Sequence, residues 1–228
     1  MYREAMSEDN IDPDEPHPKD GRTLLHSAVQ GNPSTMAEFL ILECGATVDA
    51  RDFEGRTPLL YAAALGATRM VTKLMAYGAD VQAVDLQGRG ALYMAAQAGQ
   101  LSTVVWLHNA GGRLTRAYDG RTAMHAAAFA GHCFFGNPSS CVLERVIAVG
   151  GDVEDKTDNG FSPMHHAALG NQPRAIEKLH LLGIGRACAR WFSFSLPSTF
   201  HELGAFFPKN TLPALADPNV GAPPLILK

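Results

Sequence analysis

Apolar residues in this chain come in short bursts of two kinds, and the two kinds alternate. One is a dense run that opens on leucine and closes on small residues, as in Leu59-Leu60-Tyr61-Ala62-Ala63-Ala64. The other is a stripe: Met70, Val71, Leu74 and Met75 in one copy, Val142, Leu143, Val146 and Ile147 in another. The i, i+1, i+4, i+5 spacing of the stripe predicts a short amphipathic helix with one apolar face. The dense run predicts a second helix whose alanines let a neighbour approach closely. Gly66 stands between them, where a residue free to take positive φ ends the first helix. Each unit therefore reads as helix, turn, helix.

The unit recurs. Gly21, Gly55, Gly88, Gly120 and Gly160 each open a related block, in steps of 34, 33, 32 and 40 residues. A second glycine anchor keeps register with the first, in Gly45-Ala46-Thr47-Val48, Gly78-Ala79-Asp80-Val81, Gly111-Gly112-Arg113-Leu114 and Gly150-Gly151-Asp152-Val153. Self-similarity at such a period is the mark of a solenoid. A helix pair of this length cannot bury its apolar face alone, so stacked copies must share one core. Within the block Gly55-Arg56-Thr57-Pro58, the glycine makes the tight turn and Thr57 sits where a helix N-cap belongs. Pro58 occupies N1, where its missing N–H costs nothing. Ser162 and Gly90 replace the threonine in other copies and are also accepted at a cap; losing one cap costs about 1 kcal/mol.

Two anchors in register over five copies resemble the ankyrin repeat, covering residues 19–186 as repeats 19–51, 52–84, 85–117, 118–156 and 157–186. The resemblance implies an all-α solenoid of helix-turn-helix units joined by β-turn fingers. It also implies a non-catalytic scaffold or adaptor that binds another protein through its finger tips and the exposed start of each first helix. Carried onto this chain, that face comprises Phe53, Glu54, Arg56, Tyr61, Leu86, Gln87, Arg89, Met94, Tyr118 and Arg121. Tyrosine and arginine there match the usual chemistry of binding hot spots. The alternative is a regulatory segment or truncated isoform of a larger membrane protein or enzyme. The slot at which this family undergoes asparagine hydroxylation holds Asp49, Gln82, Thr115 and Glu154, so it offers no asparagine.

Outside the regular units, residues 1–18 are acidic and proline-bearing, which predicts a disordered tail. Repeat four carries an insertion, with seven more residues between Gly131 and Gly150 than between Gly66 and Gly78. Residues 187–228 hold six of the fourteen prolines and five phenylalanines without any repeat block, and are expected to lie outside the solenoid. The net charge of −4 gives no footprint for nucleic acid or for an anionic membrane. There is no N-terminal apolar h-region and no run of eighteen apolar residues. The scattered Cys44, Cys133, Cys141 and Cys188 suit a reducing compartment, so cytoplasm or nucleus is the expected location.

The candidate chemistry is structural. His26, His125 and His165 occupy one slot of the block, three residues after the cap, and Leu60 and Tyr93 fill it elsewhere. Placed on successive packed helices, they are separated by roughly 10 Å, whereas zinc needs four ligands at about 2 Å. Hydrogen bonding within and between turns is the expected role, and no metal or cofactor is expected. His165 and His166 are neighbours that face different ways. Cys133, Cys141 and His132 flank the insertion without a CxxC pair or a fourth ligand. Asp20, Asp52, Asp85 and Asp119 keep the period of the turn glycines, which points to turn chemistry and not to acid catalysis. No phosphate loop or nucleophile elbow is visible, and no enzyme activity is expected. Arg22, Arg56, Arg89 and Arg121 each follow a turn glycine and should align as a ladder beside those aspartates.

Overall fold

A computed structural model describes residues 12–31, 34–132 and 141–182. The bulk of the insertion, including Cys133, and the proline- and phenylalanine-rich segment after residue 186 lie outside the described residues, as do residues 1–11 of the acidic tail. Ten helices are present among the described residues. They pair as α1 (Leu24–Gly31) with α2 (Ser34–Leu42), α3 (Pro58–Leu65) with α4 (Thr68–Ala76), and α5 (Ala91–Gln97) with α6 (Leu101–Asn109). The last two pairs are α7 (Ala123–Ala130) with α8 (Val142–Ala148), and α9 (Pro163–Leu169) with α10 (Pro173–Leu181).

The first helices α1, α3, α5, α7 and α9 pack in series, each on the next. Of the second helices, α4 packs on α6 and α6 on α8, while the Lys73–Glu38 and Lys178–Glu144 ion pairs join α2 to α4 and α8 to α10. The dense apolar runs explain that order. Leu59, Leu60, Ala62 and Ala63 are fully buried in α3, as are Ala95 and Ala96 in α5 and Ala127 and Ala128 in α7. In the second helices the stripe supplies Met70, Val71 and Leu74, then Val104 and Leu107, then Val142, Leu143 and Val146. Met75 and Ile147, the i+5 members, are only half-buried. One face of each second helix is therefore narrower than its apolar count implied.

Between pairs the chain turns outward into fingers. Asp52 and Asp85 organise two of them: Oδ1 of Asp52 accepts the Glu54 N–H at 2.9 Å and the Arg56 N–H at 2.8 Å, and Asp85 repeats this with Gln87 and Arg89. That is the turn role their period predicted. Repeat five uses Thr157, whose hydroxyl accepts the Phe161 N–H. Each finger also hydrogen-bonds its predecessor, through Phe53 N–H to Asp20 O, Leu86 to Glu54, Tyr118 to Gln87 and Asp158 to Asp119, at 2.9–3.2 Å. The turn glycine must be small as well as left-handed: a Cβ on Gly21, at φ +74°, would lie 2.4 Å from the Phe53 ring.

Three local features were not expected from the sequence. Residues 12–18 are folded against repeat one, since the Asp14 carboxylate accepts both the backbone N–H and the hydroxyl of Thr47. Helix α9 ends without the left-handed glycine seen at Gly66 and Gly131; Gly170 is right-handed and Asn171 takes φ +53° instead. Thr57 stands at the N-cap of α3 with its hydroxyl fully buried and unpaired among the described residues. The hydroxyls of Thr23, Thr122 and Ser162 each meet Nδ1 of the histidine three residues on, at 2.7–3.0 Å, and Leu60 removes that partner from repeat two.

Valine at Thr57 is therefore expected to leave stability unchanged or to raise it by up to about 1 kcal/mol, because it removes a buried orphan. The same exchange at Thr122 should cost about 1–2 kcal/mol. Urea unfolding followed by circular dichroism separates the two; equal losses would refute the assignment.

Candidate binding surface

The fingers carry the surface. Phe53, Leu86 and Tyr118 occupy the same place in three successive fingers, two residues before the turn glycine, and are 60%, 61% and 75% exposed. Each backbone is fixed by the finger-to-finger hydrogen bond already described, so three large apolar groups project from a tied row. Glu54, Gln87 and Asp119 follow them and are also exposed.

Behind the tips lie the four arginines, each occupied locally. Arg22 reaches Asp20 at 3.3 Å and donates to Gln30 at 3.0 Å. Arg56 pairs with Glu54. Arg89 holds buried Asp85 at 2.6 Å and Gln87 at 2.7 Å, and Arg121 holds Asp119 at 2.6 Å. The row is half-buried and close to neutral pair by pair, which blunts it as an electrostatic attractor.

Tyr61 and Met94 are not at the surface, each only 8% exposed, and Tyr61 lies beneath this row. The Tyr61 hydroxyl donates to Oδ2 of Asp52 at 2.7 Å and accepts from Nε of Arg22 at 3.1 Å. The guanidiniums of Arg22 and Arg56 stand 5.0 and 5.8 Å from its ring centre, within cation–π range. Burial, and then the hydrogen bond to the Asp52 carboxylate, push the Tyr61 phenol above its usual range. Tyr61 thus ties the finger of repeat two to its own first helix and to repeat one.

The slot histidines join repeats. Nδ1 of His26 accepts the Thr23 N–H at 3.1 Å while Nε2 donates to the Arg56 carbonyl of the next repeat at 3.0 Å. His125 does the same between Thr122 and Phe161. Accepting at one nitrogen and donating at the other fixes the neutral ring. His165 accepts the Ser162 N–H at 3.2 Å. The rings of His165 and His166 both lie against Phe161, with centres 5.7 and 6.2 Å away, and the His166 ring also meets His125 edge-on, with centres 4.9 Å apart. The sequence reading missed that contact because it crosses a repeat boundary. Among the described residues no three His, Cys, Asp or Glu side chains are grouped to hold a metal ion.

The family model for ankyrin repeats matches the chain three times, over residues 4–85, 59–135 and 92–184. The chain belongs to the ankyrin-repeat family. Among curated proteins it is similar to the nuclear factor NF-kappa-B p105 subunit of Mus musculus, 47% identical over 58 residues, which is 25% of this chain and 6% of that protein. Protein fem-1 homolog A of Danio rerio is 38% identical over 72 residues, 26% of this chain and 12% of that protein. Neurogenic locus notch homolog protein 1 of Xenopus laevis is 42% identical over 55 residues, 24% of this chain and 2% of that protein. The matches thus span a small part of each relative and locate shared ankyrin repeats. Ankyrin repeats are a protein-interaction fold, and no helix among the described residues is long and apolar enough to cross a membrane.

Replacing Tyr61 with phenylalanine leaves a buried Asp52 oxygen without its donor and should cost about 1.5–3 kcal/mol, the usual worth of a hydrogen bond to a charged group. Tyr118→Phe, on an exposed tip, should change stability by less than about 0.5 kcal/mol. Thermal and urea unfolding of the two variants checks the contrast.

Proposed function

We propose that this ankyrin-repeat protein is a non-catalytic scaffold or adaptor, and that it holds its partner on the finger face of repeats two to four. The observation that carries this reading is the row of Phe53, Leu86 and Tyr118, large apolar side chains exposed at one register on three fingers that are hydrogen-bonded to each other. Rigid aromatic and aliphatic anchors of this kind lose little conformational entropy on binding. Glu54, Arg56, Gln87, Arg89 and Arg121 form the polar rim, where paired charges give register more than affinity. Tyr61 acts from below by holding Arg22, Arg56 and Asp52 in place, and Met94, which is buried, is not part of the contact face. The partner is another protein; neither nucleic acid nor membrane insertion enters the proposal, and neither does a cofactor. The proposed location is cytoplasm or nucleus.

A second reading has a specific observation behind it, since the curated relatives are much longer than the stretch they share with this chain. In that reading the repeats are the regulatory part of a larger protein, and the same finger face binds within it.

Affinity capture from a cell extract, with wild type beside a Phe53→Asp, Leu86→Asp, Tyr118→Asp variant, tests the proposal. Partners recovered by wild type should fall at least tenfold with the variant while its melting temperature is kept, and Arg69→Ala on the exposed side of α4 should change nothing. Equal recovery would rule out the tips, and a purified chain that turns over a substrate would rule out the non-catalytic reading. Arg121→Ala should alter recovery only modestly, because Arg121 is already paired with Asp119 at an exposed position, whereas Arg89→Glu would set a carboxylate against buried Asp85 and disrupt the finger itself.

A further inference from the structure

The inter-repeat histidine bridge is not distributed evenly. His26 joins repeat one to repeat two through the Arg56 carbonyl, and His125 joins repeat four to repeat five through the Phe161 carbonyl. At the two central junctions the slot holds Leu60 and Tyr93, both buried and neither able to take up a proton in acid. His132, outside the slot and only half-buried, also reaches the Gln97 carbonyl of repeat three through Nε2 at 2.9 Å, a bond that a neutral or a charged ring can equally make. We propose that acid uncouples the two end repeats of the solenoid while the central three stay stacked, because only the end junctions are bridged by a ring that must be neutral.

The geometry sets the direction. In each bridge Nδ1 faces the N–H of the cap residue, at 3.1 Å in His26 and 3.2 Å in His125. An imidazolium would point a second N–H at that donor. The cap hydroxyl, 3.0 Å from Nδ1 in His26 and 2.9 Å in His125, would have to turn from donating to accepting, and the buried cap N–H would lose its acceptor, which strains the bridge at its own cap. The ring cannot turn away, since both histidines are fully buried.

The surroundings of His26 are the Tyr61 ring at 5.6 Å, the carboxylates of Asp52 and Asp20, and the Arg22 guanidinium. Around His125 stand the His166 ring at 4.9 Å, Asp155 and Arg116. Within repeat five, His165 faces Lys156, and His166 faces Arg121, Asp119 and His165. The nearby carboxylates favour the charged ring, but burial outweighs them: His26 is held below its ordinary value, and His125 falls from 6.5 to about 4. His165 and His166 are shifted the same way, again mainly by burial.

The sign follows from linkage. Separated repeats bind protons more readily than stacked ones, so stacking is at full strength above about pH 6.5 and weakens as pH falls toward 4. Phe53, Leu86 and Tyr118 lie on repeats two, three and four, inside the part that stays stacked.

Amide hydrogen exchange by mass spectrometry tests this on the whole chain at pH 7.0 and 4.5, corrected for the intrinsic pH dependence of exchange. Protection in 24–31 and in 163–181 should fall about tenfold or more on acidification, while protection in 91–109 changes less than about threefold. Glutamine can keep both hydrogen bonds without titrating. His125→Gln should therefore reduce the acid-induced loss in 163–181 at least threefold without altering that in 24–31, and His26→Gln should do the reverse. Leu60→His should in turn make 58–76 acid-sensitive. A loss of protection uniform along the chain, or end losses untouched by either glutamine, would overturn the proposal.

Discussion

Everything in this structure depends on burial that no single repeat can achieve. A helix pair of eight or nine residues each, such as α3 with α4, has apolar side chains on the face its partner does not cover. Only the next pair covers it, and alanine-rich first helices make the cover close. Each added repeat buries one face and exposes another, so the structure grows by nearest neighbours. The fingers repeat this logic in hydrogen bonds, with each N–H given to the finger before it.

That dependence decides which features a single sequence reveals. The period, the helix pairs, the turn glycines and the turn aspartates follow from the chemistry of one unit, and all were evident from residue types and spacing. What escaped lies between units. Tyr61 and Met94 occupy positions that point outward from an isolated helix start, yet both are buried, Tyr61 beneath the guanidiniums of Arg22 and Arg56. Thr57 has the right residue for a cap, but Leu60 deprives its hydroxyl of the partner found in other repeats. The contact of His166 with His125, and the bond from Asp14 to Thr47, each join residues more than thirty positions apart.

The candidate surface shows the same division of labour. Charges at the finger bases are spent within the fold: Arg51 donates to the Gly55 and Val84 carbonyls, and Arg116 to those of Gly120 and Lys156. The tip side chains touch little beyond the preceding turn. A sequence comparison of neighbouring repeats places Phe53, Leu86 and Tyr118 in register, but their shared exposure follows only once the fingers are stacked. Rigidity beneath and apolar exposure above are what make the row suited to a protein partner.

The central claim, that close approach of first helices holds the stack together, is tested most directly by widening one of them. Leucine at Ala95 or Ala96, both fully buried in α5, must force α5 away from α3 or α7. Urea unfolding should show a loss of about 1–3 kcal/mol for at least one of the two, the usual cost of overpacking. If both leucine variants match or exceed wild type, the first helices are not in close contact and the account fails.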